Sequence, residues 1–335
     1  MHTRRARAAL RGWGGVGAMA VLCALALAFV LLLPLSQSHG GDGPGRGGQR
    51  VAEGRQARAG TCTHPENQTL SPSGADGPTI ARIKARQGDK RKIIVGVDQN
   101  SYRWGYRNPN TKGAELEGFD IDLAHRIAQD ILGDSKAVQF KAIPTSQRTE
   151  AVKNGRVDMV VRTMTITCER LDDVTFSAPY FKTGQQVLAP KSSPIKGYGS
   201  TLAHRRVCAA DGSTASTRLA EDKPAGKLVA VPNQLDCLVR LQLGEVDAVV
   251  TDAALAASQA AQDPTVELKG DPFTVDYYGV AMNKDAKDLI RRVNQILVQY
   301  RASGWQASYD RWLSATLGED AGPSKPPAPE YLLKS

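Results

Sequence analysis

The chain has 335 residues, 41% of them hydrophobic, which is enough for two packed domains of ordinary size. Its formal charge of +9 is unevenly spread: residues 1–60 hold eight arginines against Asp42 and Glu53, a balance of +6, so only +3 remains for the other residues. A basic surplus confined to one end does not make a nucleic-acid surface, and that class of partner is set aside.

In chain order, Arg4, Arg5, Arg7 and Arg11 precede an uncharged run over 13–35 whose most apolar part is 18–33. A run of that length can span a hydrocarbon layer with its positive flank in the cytoplasm. It reads either as a retained anchor or as a signal segment cut near Ser36-Gln37-Ser38. Lipidation at Cys23 is a third reading, weakened by Leu22 at a place that normally needs a small residue. All three export the rest of the chain. Residues 1–38 are therefore expected to be a basic tail with a membrane or signal segment. The stretch 39–77, rich in Gly, Pro, Ser, Arg and Gln, is expected to be a flexible linker whose far end passes into a short helix over 78–86.

The spacing then predicts a strand over 92–97, an amphipathic helix over 119–132, a strand over 138–143, a helix over 147–154 and a strand over 157–161. The alternation resumes with a strand over 206–210, a helix from 216, a strand over 228–231, a helix over 234–243 and a strand over 244–250. A strand over 278–282, helices over 286–303 and 305–317, and a proline-rich flexible tail over 318–335 complete the chain. Alternation of this kind argues βαβ units around largely parallel sheets. The segment Asn154-Gly155-Arg156-Val157-Asp158-Met159-Val160-Val161 is nearly copied by Leu243-Gly244-Glu245-Val246-Asp247-Ala248-Val249-Val250, which suggests two lobes of similar build. The expected division is 78–187 with 275–317 for the first lobe and 188–274 for the second.

Open α/β sheets bind ligands beyond the carboxyl ends of their strands, and the polar clusters fall there. Asp98 follows the first strand, Thr163 to Arg170 follow the third, and Gly212-Ser213-Thr214 and Thr251-Asp252 follow strands of the second half. Arg170 can grip a carboxylate with two prongs, and the threonine hydroxyls can meet a carboxylate or an ammonium group. Asp252 can accept from an ammonium group or cap the helix that begins at Ala253, and Ser213-Thr214 can offer amides to an anion or simply cap their own helix. Tyr102, Trp104 and Tyr106 can cover a ligand or pack over the first strand.

Enzymatic signatures are missing: there is no G-x-S-x-G turn, no H-E-x-x-H helix and no Walker-type loop. No CxxC pair exists and the histidines, at 2, 39, 64, 125 and 204, are scattered, so neither a metal nor a cofactor is expected. Export gives the remaining cysteines, Cys62, Cys168, Cys208 and Cys237, a reason to pair, with three pairings open.

Four ordered motifs then resemble the family 3 extracellular solute-binding proteins of ABC importers, in particular their actinobacterial glutamate/glutamine-type members, over about residues 80 to 317. They are Gly118-Phe119-Asp120-Ile121-Asp122-Leu123-Ala124, Thr165-Ile166-Thr167-Cys168-Glu169-Arg170, Phe176-Ser177-Ala178-Pro179-Tyr180-Phe181 and Val246-Asp247-Ala248-Val249-Val250-Thr251-Asp252. The resemblance implies an α/β type II periplasmic-binding-protein fold, two Rossmann-like lobes joined by a two-strand hinge. It implies that Arg170 binds a ligand α-carboxylate with Thr165, Ser213 and Thr214, while the ammonium lies between Thr163, Thr165 and Asp252. Arg148, in Thr145-Ser146-Gln147-Arg148, takes the place of the arginine that reads an acidic side chain, with Arg162 or Arg103 assisting. Asp98 and Trp104 complete the candidate ligand shell. These residues favour glutamate or aspartate and leave glutamine and asparagine open. The resemblance also implies a Cys208–Cys237 disulfide, leaving Cys168 to Cys62 or free. The expected protein is a monomer outside the cytoplasmic membrane that delivers its amino acid to an ABC permease, or alternatively reports it to a membrane signalling partner.

Overall fold

The computed structural model describes residues 62–222, 226–319 and 324–333. The basic tail and the apolar run 13–35 lie outside them, and among the described residues no helix is long and apolar enough to cross a membrane.

Two five-stranded sheets organise the chain, and they share one strand order. In the first, Ile93–Val97 lies between Val138–Ala142 and Met159–Val160, all parallel, and Ala281–Met282 returns antiparallel before Thr175–Phe176 closes the edge. In the second, Arg206–Ala210 lies between Lys227–Val231 and Ala248–Asp252, again parallel, and Gln185–Pro190 returns antiparallel before Val266–Lys269. Helices cover the faces, and apolar clusters lie on both sides of each sheet. This explains why the parallel strands read as continuous apolar runs rather than alternating ones.

The internal echo has a physical basis. Asp158 and Asp247 each precede the third strand of their sheet and turn a carboxylate onto the first. Asp158 Oδ2 accepts from Ile94 N at 2.8 Å, and Asp247 Oδ2 accepts from Arg206 N at 2.7 Å. An arginine neutralises each carboxylate, Arg86 in the first lobe and Arg206 itself in the second. The repeated Val-Asp pair is thus the device that sets third strand against first.

Two antiparallel strands, Phe181–Thr183 and Asp276–Tyr278, carry the chain between the sheets. They are the two-strand hinge of the type II periplasmic-binding-protein fold. At Gly184 a Cβ would lie 2.1 Å from the Thr274 carbonyl oxygen, so the close approach of the two crossings needs glycine there. Strand Gln185–Pro190 belongs wholly to the second sheet, so the first crossing falls before residue 185 and not at the expected boundary of 187 and 188.

The described parts of two segments expected to be flexible, residues 62–77 and 324–333, are packed instead. In the supposed linker, Thr69 is 1% exposed and its Oγ1 donates to the Phe176 carbonyl at 2.7 Å. Buried Asn294, on helix Lys287–Ser303, donates to Thr69 Oγ1 and to the Leu70 carbonyl, and accepts from Ala178 N. A Cys62–Cys168 disulfide pins the first described residue of the segment, and Cys208 is joined to Cys237 in the second lobe. The tail is held in turn: Leu332 N and Leu333 N donate to the carbonyls of Asn67 and Thr69. Composition suggested a tether because the partners that order these segments lie more than a hundred residues away.

Asn294 has no replacement for its three bonds. Asn294→Ala should lower the unfolding free energy by about 3 kcal/mol in denaturant titration, the sum of three modest buried hydrogen bonds; a change near zero would mean that the N-terminal segment is not ordered by this contact.

Candidate functional site

The carboxyl ends of the two sheets face one another, and ten residues line the space between them: Arg148, Thr163, Thr165, Arg170, Ser213, Thr214, Ala215, Gln234, Thr251 and Asp252. The room left among these side chains is about 10 Å³, no more than a single water needs, so the lobes stand nearly shut here and must part for a ligand to enter.

On the first lobe the chain leaves strand Met159–Val160 and turns sharply. Thr163 adopts φ 42°, a left-handed conformation costly for a β-branched residue. Asp120 holds it there. One carboxylate oxygen accepts from Thr163 N at 3.0 Å and the other from Tyr180 Oη at 2.8 Å. Burial pushes the Asp120 carboxyl up to about 7, against the pull of those two bonds. Thr165 then pairs with Tyr278 of the hinge in a β-bridge.

Arg170 sits on the single-turn helix Cys168–Leu171, whose N-cap Thr167 accepts from Arg170 N at 3.2 Å. Its guanidinium donates to the Thr165 carbonyl at 2.6 Å and, across the cleft, to the Gly212 carbonyl at 2.9 Å. Arg148 is 3% exposed and reaches the same Gly212 carbonyl at 3.2 Å, with further bonds to the carbonyls of Thr145 and Arg162. Burial lowers the affinity of both guanidiniums for their protons, most strongly at Arg148, which also faces Arg170 and Arg162. Their partners are neutral carbonyls. A buried cation at Arg148 and a half-buried one at Arg170, held this way, leave a positive pocket that favours an anion.

From the second lobe comes the N-terminus of helix Thr214–Glu221. Ser213 caps it by accepting from Ser216 N at 3.1 Å, and the first-turn amides of Thr214 and Ala215 border the same space. Asp252 ends its strand and accepts from Tyr278 Oη at 2.6 Å. Burial, then the neighbouring Asp276 carboxylate, pushes Asp252 up to about 7, so an ammonium group placed beside it would be held by the ionised form.

Seven of the ten ligand candidates named from sequence meet in this lining: Arg148, Thr163, Thr165, Arg170, Ser213, Thr214 and Asp252. Three do not. Trp104 is fully buried, with its ring 4.9 to 5.7 Å from those of Phe119, Phe181 and Tyr278, and so belongs to the first lobe's core. Asp98 spends its carboxylate on Gln99 N, Asn100 N, Ser101 Oγ and an ion pair of 2.8 Å with Arg162. Arg162, whose side chain is wholly buried, is committed to Asp98, Thr145 and Asn233. Gln234 was missed as a lining residue, although it follows strand Lys227–Val231 and the strand-end rule points to it. Tyr278 and Asp120, which orient the lining, carry no such signal.

The sequence model of the bacterial extracellular solute-binding proteins, family 3, matches residues 93–315. Among relatives, the chain is 37% identical over 242 residues to the ABC transporter glutamine-binding protein GlnH of Bacillus subtilis (strain 168), covering 72% of this chain and 86% of that protein. It is 29% identical over 240 residues to the glutamate-binding protein GluB of Corynebacterium efficiens, covering 68% and 80%. Among solved structures, the solute receptor for L-cysteine of Neisseria gonorrhoeae matches with a TM-score of 0.68 at 28% identity, covering 75% of this chain and all of that one.

The carboxyls of Asp120 and Asp252 bind protons more tightly in the folded chain than their ordinary value of 3.8 allows. The stability they contribute is therefore complete below about pH 4 and is lost as pH rises through about 7. The unfolding free energy should fall between pH 5 and pH 8, and Asp252→Asn should flatten part of that slope; an unchanged slope in the variant would place Asp252 in a more solvated setting than this.

Proposed function

The chain belongs to the bacterial extracellular solute-binding proteins of family 3, and from that premise we propose that its cleft captures an acidic α-amino acid, L-glutamate or L-aspartate, for delivery to an ABC importer. That it is an extracytoplasmic amino acid-binding protein of the ABC transport class, and not an enzyme, follows from the family and its relatives. The choice of amino acid is the step beyond them.

The observation that carries it is the pairing of Arg148 and Arg170 in one small lining that holds a single carboxylate, Asp252. A ligand with one ammonium and two carboxylates complements that set. Its α-carboxylate lies against Arg170, the Thr165 hydroxyl and the N-terminus of helix Thr214–Glu221, where guanidinium and helix dipole add. Its ammonium lies between Asp252 and the Thr163 carbonyl. Its second carboxylate reaches Arg148, whose guanidinium gives three of its five N–H groups to backbone carbonyls and keeps two free.

Glutamine and asparagine have the same reach and can offer Arg148 an amide carbonyl. They would leave that buried cation without a counter-charge, so they bind more weakly in this account. Lysine and arginine bring like charge to Arg148 and are rejected. The names of the relatives, glutamine-binding and glutamate-binding, fall on both sides of this distinction.

Calorimetric titration of the ligand-stripped protein with L-glutamate, L-aspartate, L-glutamine, L-asparagine and L-arginine tests the assignment. The acidic pair should bind tightest and arginine should give no saturable heat. Arg170→Ala should weaken every amino acid by about a hundredfold or more. Arg148→Ala should cut glutamate and aspartate steeply and leave glutamine nearly unchanged. Glutamine binding tighter than glutamate, or no heat with any of the five, would overturn the proposal.

A further inference from the structure

Beside the amino-acid pocket lies a second set of contacts between the lobes that no ligand atom needs to touch. Arg162 is its centre. On the first lobe the buried guanidinium is fixed by the 2.8 Å ion pair with Asp98 and by Thr145 Oγ1 at 3.0 Å. From there it crosses the cleft and donates to Asn233 Oδ1 at 3.1 Å.

The orientation of the Asn233 amide is settled by its neighbour on the other side. Asp236 accepts from both Asn233 N at 3.0 Å and Asn233 Nδ2 at 3.3 Å, so the amide nitrogen faces Asp236 and the oxygen faces Arg162. Reversing the amide would set donor against donor and acceptor against acceptor. Two further bonds cross within one residue of this contact. Thr145 N donates to the Pro232 carbonyl at 3.3 Å, and Thr145 Oγ1 meets Gln234 Oε1 at 3.3 Å. The lobes touch again at Gly212, where a Cβ would lie 2.6 Å from Ser146 Cα.

We propose that Arg162 and Asn233 form a closure latch, a pair of positioning residues that stabilises the joined lobes without reading the ligand. This rests on the reading of the cleft as an amino-acid trap that shuts by lobe closure. A contact made only when the lobes meet adds its free energy to closure, and every ligand captured by that closure gains equally. The latch therefore sets affinity and leaves selectivity to the lining. It also gives Arg162 a reason to be buried and charged that ligand binding does not supply. In the closed form a neutral amide meets one end of the guanidinium, while Asp98 keeps its charge balanced in the open form as well.

Asn233→Ser in the full-length chain is the test. The site is only half-buried, the Asp236 bond to the backbone of residue 233 survives, and a serine hydroxyl is too short to reach Arg162. Two readouts separate a latch from a ligand contact and from a folding defect. Affinities for glutamate, aspartate, glutamine and asparagine should all fall by the same factor, roughly tenfold, the loss expected for one hydrogen bond to a charged group. Without added amino acid, hydrogen exchange at the Thr145 amide, which donates across the cleft, should quicken while exchange in the strands of each sheet stays as in the parent. Unchanged affinities, or a change in their ratios, would overturn the latch. If no amino acid binds either chain, the pocket assignment fails, and the Thr145 exchange rate alone then decides the latch: faster supports it and unchanged refutes it.

Discussion

Three guanidinium groups, those of Arg148, Arg162 and Arg170, lie in or beside one cleft, and two of them line the pocket between the lobes. Removing a cation from water is costly unless charge and hydrogen bonds are returned to it, and this requirement shapes everything around the cleft. Arg162 obtains its countercharge from Asp98. Among the described residues, Arg148 and Arg170 donate only to carbonyl oxygens, Gly212 serving both. The pocket thus keeps an unspent positive potential directed at whatever closes the lobes, with Asp252 as its single opposing charge in the lining.

The fold explains how such a set can be held. Each sheet ends its parallel strands at the cleft, so loops with special geometry are braced by regular structure behind them. The strained Thr163 is clamped by Asp120, which Tyr180 clamps in turn, and Tyr180 packs in the aromatic cluster with Phe119 and Tyr278. Tyr278 belongs to the hinge and also bonds Asp252 of the second lobe. Strand ends, hinge and aromatic core therefore bear on the same few atoms. The Cys62–Cys168 disulfide adds the N-terminal segment to this assembly, two residues from Arg170.

Much of this was legible in the residues. Alternating apolar runs located the parallel strands, and the duplicated Val-Asp motif foretold two lobes because Asp158 and Asp247 do the same job in each. Six pocket residues, Thr163, Thr165, Arg170, Ser213, Thr214 and Asp252, were found by asking which residues come after each strand, and Arg148 came from the family resemblance. The misses have a common cause, which is that one-dimensional pattern carries no information on direction. Trp104 and Asp98 also follow the first strand, yet Trp104 turns into the core and Asp98 back onto its own loop. Arg162 looked like a third ligand arginine because its type is right, whereas its partner Asn233 lies 71 residues away in the other lobe. The packed segments at 62–77 and 324–333 were hidden for the same reason, since Asn294 and Thr69 order them from a distance. Strand Gln185–Pro190, antiparallel within the second sheet, escaped the βαβ reading because that reading anticipates parallel neighbours only.

The central claim is that three charges of one ligand are read at three places in the cleft: an α-carboxylate at Arg170, an ammonium at Asp252 and a second carboxylate at Arg148. Competition binding of L-glutamate against glutarate, which lacks the ammonium, and 4-aminobutanoate, which lacks the α-carboxylate, addresses all of this in one experiment. The account predicts that L-glutamate displaces a bound acidic amino acid while each analogue is weaker by about a hundredfold or more, the loss expected when a buried charge is left unpaired. Glutarate competing as well as L-glutamate would contradict it, because Asp252 would then have no part in recognition.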